Sequence, residues 1–343
     1  MKLSIRQPQV RKLKFQKLLN QEISEFDLRP ADTLRACLIR LRGELKQKHI
    51  SYFPHFYFGQ EPWGCIDRTG SVEIPFFLAN NEIRRIAEEY YMSYSKEEIM
   101  MLLRHETGHA LNYVYKLWRE RGWKLLFGKF QQKYPRIYDF DPRSTSHVQY
   151  LHYIGNPHYA QKHPDEDFAE TFAVWLDPSS KWKWHYRSWD GALAKIQYVD
   201  RLFRQERRAE RRPLGIRYNE ANNYRTISMT LAEYFAIERK VDPRLKEYLQ
   251  DLREIFPRVS PLARRLIRAD RFVQNYAAYL EDELVNWIAG ADRRVVKKYL
   301  REIQTLCALN GSRLRPDEAT EKLVELVIVA TYHLMKRLKH VKM

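Results

Sequence analysis

The sequence predicts an α+β protein, mostly α, with a small β-sheet in its first half and a succession of helices in its second. Three observations carry that reading. Apolar residues recur at helical spacing through most of the chain. Two short runs rich in aromatic and β-branched residues, 51–58 and 71–78, are split by turn residues. From about residue 227 onward, prolines and glycines cut the sequence into helix-length pieces. With 343 residues and 44% hydrophobic content, the chain is long enough to bury a substantial core. It divides into a basic helical segment over 1–50, a central domain over 51–215 and a helical C-terminal region over 216–343.

In the first segment Leu13, Phe15, Leu18 and Leu19, then Leu34, Cys37, Leu38 and Leu41, fall at helical spacing, with 12 basic against 5 acidic side chains. Ser51–Phe58 and Ser71–Leu78 read as strands. Gly64, Asp67 and Gly70 mark turns between them, and Asn80-Asn81 opens a helix carrying Ile83, Ile86 and Tyr90. Ser95 and Glu98 form a capping box, because the serine hydroxyl can accept from the third backbone N–H while the glutamate reaches back. Ile99, Leu102, Leu103 and Leu111 give the helix behind that cap an apolar face, and Gly122 is the expected end. Pro164 suits the first turn of a helix over 163–176, whose Phe168, Phe172 and Trp175 share a packing side. Lys181–Trp189 interleaves cations with aromatics, as a tryptophan cluster or a cleft lining would. Arg204, Arg207, Arg208, Arg211 and Arg212, ahead of Pro213-Leu-Gly215, mark a solvated helix end or linker. Helices follow over 227–240, 243–256, 260–288, 292–308 and 317–340. The last is amphipathic through Leu323, Leu326, Val327, Ala330 and Leu334, and so is expected to pack in a bundle or against the preceding domain.

The chemistry concentrates in His105-Glu106-Thr107-Gly108-His109. On a helix, residues four apart share a face, so both imidazoles reach one ion while Glu106 stands beside it as a general base. A catalytic zinc takes three protein ligands and keeps a position for water, so a third ligand is required. The continuation HExxHxxGxxH is excluded, because positions 112 and 115 are Asn112 and Tyr115. A downstream histidine or acid remains. In the 163–176 helix, Glu166 and Glu170 share a face. A metal-bound imidazole usually donates its other N–H to a carboxylate, so Glu166 is assigned to the metal and Glu170 to orienting a histidine. The plainer reading keeps Asp165, Glu166 and Asp167 as acids favouring the positive end of the helix dipole.

Tyr159-Ala-Gln-Lys-His-Pro-Asp-Glu-Asp-Phe-Ala-Glu-Thr-Phe-Ala, following the HExxH helix, resembles the YAxxHPxEDxAET signature of a bacterial gluzincin family of zinc-binding metallopeptidases. It is similar, more distantly, to the lethal-factor type of gluzincin, where a tyrosine seven positions before the ligand faces the metal. The resemblance covers roughly residues 50–190. It implies a gluzincin-like domain with one Zn2+ held by His105, His109 and Glu166. Glu170 would be the outer companion, and Tyr159 a donor to the oxyanion on the attacked carbonyl. His147, His152, His158, His163 and His185 also lie near the second motif and leave a histidine ligand, or a histidine in place of Tyr159, open. Only Cys37, Cys65 and Cys307 occur, with no CxxC, so neither a second zinc site nor a disulfide framework is expected.

These residues lead to the expectation of a metallopeptidase acting on protein or peptide substrates through a zinc-activated water. The net charge of +17 motivates the alternative, a basic nucleic-acid-binding or regulatory protein with a structural or latent zinc site. The charge is uneven: residues 51–100 carry 4 basic and 8 acidic side chains, residues 201–250 carry 12 and 7. Met1-Lys2-Leu3 opens without an apolar secretory stretch, and no run reaches the 18 or so apolar residues a membrane span needs. A cytoplasmic protein without membrane partners is therefore expected.

Overall fold

A computed structural model describes residues 15–341 apart from 16, 61–62, 90–93, 136–137, 139, 152–157, 206–215, 221, 236–244, 258–265 and 290. Leu13, Tyr90, His152, the arginines from 207 to 212, Pro213–Gly215, Pro243, Pro261 and Gly290 thus lie outside the described residues. The chain is mostly helical with a small sheet. Among the described residues no helix is long and apolar enough to cross a membrane.

Helix α1 (Asp32–Gln47) buries Leu34, Cys37, Leu41 and Leu45, a stripe at three- and four-residue spacing. Strands β1 (His55–Gly59), β2 (Gly64–Cys65) and β3 (Ser71–Pro75) make a sheet in the order β1-β3-β2, with β1 parallel and β2 antiparallel to β3. The two predicted strands are therefore present, but the second stops at Pro75, where Phe76–Ala79 tightens into a 3-10 turn. Gly64, read as a turn, instead begins the edge strand β2. Helix α2 (Asn81–Glu89) leads to α3 (Lys96–Tyr115), whose capping box is formed: Glu98 N–H reaches Ser95 Oγ at 3.1 Å and Ser95 N–H reaches Glu98 Oε2 at 2.7 Å. From Leu102 to Tyr115 every residue of α3 is buried, so it is the central element of the first core. It ends earlier than Gly122, at Lys116, which takes the left-handed conformation (φ 54°) and caps α3 with its own N–H. Gly122 (φ 87°) opens the short α4 (Trp123–Phe127) instead.

Helix α5 (Pro164–Leu176) packs against α3 on one side while α1 packs on the other, and α6 (Asp190–Gln205) backs α5. Arg104 of α3 ties the three together. Its Nε and Nη2 fork Glu44 of α1 at 2.8 and 2.7 Å, and its Nη1 meets Tyr150 Oη and Asp177 Oδ2, each at 2.8 Å, just past α5. This first core runs from Leu19 through Tyr224, Ile227, Leu231 and Tyr234, so it includes α1 and the segment just after residue 216.

A second core begins at Tyr248 and is built from α7 (Leu245–Ile255), α8 (Ala269–Asn275), α9 (Ala277–Trp287), α10 (Arg293–Asn310) and α11 (Ala319–Val341). Leu323, Leu326, Ala330 and Leu334 of α11 are buried in it, as their spacing predicts. The expected helix over 260–288 is divided: Ile267–Arg268 (β4) pairs with Arg313–Leu314 (β5), and Tyr276 interrupts between α8 and α9. Neither feature has a proline or glycine signal in those residues. The second core meets the first where the Arg271 guanidinium lies 4.0 Å over the Tyr94 ring, Gln274 bonds Tyr94, and Arg301 donates to the Tyr234 carbonyl.

Candidate metal centre

Two helices bring the candidate residues together. Gly108, inside HExxH, lets α3 approach α5 closely: a Cβ there would stand 2.9 Å from Ala169 Cα and 3.2 Å from its carbonyl oxygen. Helix α5 starts sharply, with Pro164 at its first position and His163 Nδ1 accepting the Asp165 N–H at 3.1 Å. The first turn of α5 therefore faces His105 and His109 across the contact.

His105 Nε2, His109 Nε2 and Glu166 Oε2 form a triangle with all three sides 3.1 Å. Among the described residues this is the single group of three or more His, Cys, Asp or Glu side chains placed to hold a metal ion. The remaining nitrogen of each ring is also engaged: His105 Nδ1 lies 3.0 Å from Glu170 Oε1, and His109 Nδ1 lies 3.0 Å from Asp165 Oδ2. Ionised carboxylates only accept, so each Nδ1 carries the proton and, in a neutral ring, each Nε2 presents a lone pair. Two lone pairs and a carboxylate oxygen then converge in a buried space, an arrangement that repels itself until positive charge enters. An ion bonded tetrahedrally at about 2.0–2.2 Å spaces its ligands roughly 3.3–3.6 Å apart, close to the observed triangle, so the donor set fits one.

The proton affinities point the same way. Burial opposes charge on His105, yet the Glu166 and Glu170 carboxylates outweigh it and hold the imidazole up to about 9. His109 is raised by Asp165 and Glu166 against the same penalty. Glu166, pushed up by burial, is brought well below the usual carboxylate range by His109 and His105. The group as a whole favours a bound cation.

Glu106 stands beside this triangle, 6% exposed. Burial raises its pKa, the two imidazoles pull it back, and the Cys65 backbone N–H of β2 bonds its carboxylate. Tyr159 donates to Glu166 Oε1 at 3.0 Å, the oxygen turned away from the histidines, and Lys162 Nζ lies 3.4 Å from the same hydroxyl. Burial and the nearby Glu166 and Glu106 keep Tyr159 protonated. The triangle opens into a cleft of about 580 Å³ bordered by β2, α3, Tyr134 and, from the second core, Arg271 and Gln274.

The other histidines take different places. His163 caps α5, with its Nε2 2.9 Å from the Gln132 carbonyl. His147 bonds Ser144, His158 stacks on Phe140, and His185 is exposed beside Tyr186. None of these four belongs to the triangle. Around it, sequence reasoning missed Asp165, read only as a dipole-favouring acid. Its carboxylate reaches His109 and accepts from Tyr113, Tyr134 and Asn112 as well. Sequence reasoning also missed Tyr134, Gly108 and Arg271. The chain matches no family model, curated protein or solved structure.

Proposed function

We propose that this chain is a zinc metallopeptidase of gluzincin type, hydrolysing peptide bonds in protein or peptide substrates. The observation that carries the reading is the 3.1 Å triangle of His105, His109 and Glu166, with both Nδ1 atoms held by carboxylates. Two imidazoles and one carboxylate, each supported from behind, are the donor set of a hydrolytic zinc with an open position. A zinc ion bound there supplies Lewis acidity toward the substrate carbonyl and acidifies water.

The chain's own groups do the rest. Glu106 accepts a proton from the attacking water and returns it to the amine as the C–N bond breaks, a role that suits a carboxyl with a raised pKa. The Cys65 N–H fixes that carboxylate. Glu170 and Asp165 hold the two rings at their angles. Tyr159 supplies an O–H to the oxyanion that develops on the carbonyl, a contribution of about 3–4 kcal/mol for donors of this kind. β2 borders the cleft, so an extended peptide can lie along it, with the Cys65 N–H already committed to Glu106. The three cysteines are free, which suits the reducing cytoplasm where we place the activity.

The test is proteome-wide cleavage profiling of the parent against Glu106→Gln, with zinc content measured on both. Stoichiometric zinc in both proteins, with cleavage only by the parent, is the expected result. Equal cleavage by Glu106→Gln refutes the assignment, and stoichiometric zinc retained by Glu166→Ala moves the third ligand elsewhere.

A further inference from the structure

Arg271 is contributed by α8, in the second core, yet it lines the same cleft as the histidines. It is 3% exposed, and its Nε and Nη2 have no hydrogen-bond partner. Nη1 is taken by Gln274 Oε1 at 2.8 Å, and the plane of the guanidinium is fixed 4.0 Å over Tyr94. The nearest carboxylate, Glu98, does not complete the fork: its Oε2 lies 3.8 Å from Nη2 and already accepts the Ser95 N–H in the α3 cap. A buried guanidinium with two donors unmatched is costly to leave so, and rare without a reason.

We infer that Arg271 is a substrate subsite that binds a carboxylate of the peptide held in the cleft. Nε and Nη2 are one edge of the guanidinium, the edge that pairs with a carboxylate through two parallel hydrogen bonds. Its place gives the spacing. Glu98 and His105 are seven residues apart on α3, roughly 10 Å along the helix. That span is about three residues of extended peptide. The carboxylate is therefore the peptide's C-terminus or one of its Asp or Glu side chains, about three residues from the scissile bond. This rests on the peptidase reading for the nature of the ligand, while the unmatched donors stand apart from it.

Random N-acetylated hexapeptide pools separate the possibilities: one with a free C-terminal carboxylate, one amidated and neutral, and one amidated with a single Glu walked through the six positions. Each pool is bound to zinc-loaded Glu106→Gln and to Glu106→Gln/Arg271→Gln, with captured peptides quantified by mass spectrometry, and each is digested by the parent. Capture of one carboxylate pool about tenfold to a hundredfold over the neutral pool, lost with Arg271→Gln, is expected. The enriched pool names the source. Arg271→Lys, which keeps the charge without the fork, retains a reduced preference and guards against a folding defect in the Gln variant. Equal capture of neutral and carboxylate pools, or a preference unchanged by Arg271→Gln, overturns the subsite. Carboxylate-dependent capture without any digestion by the parent sinks the peptidase reading and leaves the subsite standing. Digestion blind to the carboxylate does the reverse.

Discussion

Gly108→Ala isolates what the closeness of α3 and α5 is worth. In an open helix this change stabilises by about 1 kcal/mol, because glycine loses more backbone entropy on folding. Here the added methyl would lie 2.9 Å from Ala169 Cα, 3.2 Å from its carbonyl oxygen and 3.2 Å from Phe172 Cδ1. Carbon atoms rest at about 3.5–4.0 Å, so the helices must part by about 0.5–1 Å. Overpacking of this kind costs about 1–3 kcal/mol, which exceeds the helix gain and leaves a net loss of about 1 kcal/mol. The same separation stretches the triangle, whose histidines ride on α3 and whose glutamate rides on α5. Metal affinity therefore falls by at least about tenfold, since such sites tolerate only about 0.5 Å of misplacement. Gly43, within α1, has nothing within 4 Å of its Cβ position and serves as the control. Gly43→Ala should stabilise by about 1 kcal/mol with zinc affinity unchanged. Urea melts and competition against a chromophoric chelator measure both quantities. If Gly108→Ala is as stable and binds zinc as tightly as Gly43→Ala, the close-approach argument fails.

Asp165→Asn leaves the fold intact and weakens zinc binding by about 10- to 100-fold, because His109 loses the carboxylate that sets its tautomer; affinity equal to the parent would remove Asp165 from the site. Arg104→Ala leaves the partly buried Asp177 without its cation and the buried Glu44 with Arg40 alone, at 3.0 Å, and should cost about 2–4 kcal/mol in a denaturation experiment; a loss below about 1 kcal/mol would show the cluster to be well solvated. Burial, helped by Lys195 and His158, holds His147 down to about 4, although its Nε2 lies 3.8 Å from Asp167. Between pH 4 and 6.5 the unfolded chain binds a proton there that the folded chain refuses. This stabilising contribution is therefore complete above pH 6.5 and is lost as pH falls to 4, by up to about 3 kcal/mol. His147→Gln should show a correspondingly shallower acid slope in melts at pH 4–7, and an unchanged slope would count against a neutral, partly buried imidazole.

Local spacing made part of this molecule legible. The Ser95/Glu98 box, the four-residue step between His105 and His109, and Pro164 followed by Glu166 and Glu170 are all patterns within one or two helical turns. Each lies on the helix where the spacing places it. What stayed hidden depends on contacts far apart in sequence. Asp165 reads locally as an acid at a helix start, and only the packing of α5 on α3, 56 residues earlier, sets it on His109. β2 is two residues long, too short to show alternation, and is defined by its pairing with β3. Arg271 lies among residues that read as an ordinary helix, and its place in the cleft comes from how the second core meets the first. Lys116 ends α3 without the glycine usually sought at that position.

The bridge that Arg104 makes between α1 and the end of α5 also decides where this protein can be cut. The residue next to His105 in the chain takes half of its anchoring from α1, whose sequence contains no chemistry of its own and looks dispensable. A protein trimmed to begin at Ser51 would leave the Arg104 guanidinium with Tyr150 and Asp177 alone, uncover the apolar face on which α1 packs and loosen the helix carrying both imidazoles. The leading helix is thus part of the smallest unit that can hold the metal, and shortening the chain there should abolish zinc uptake along with the fold.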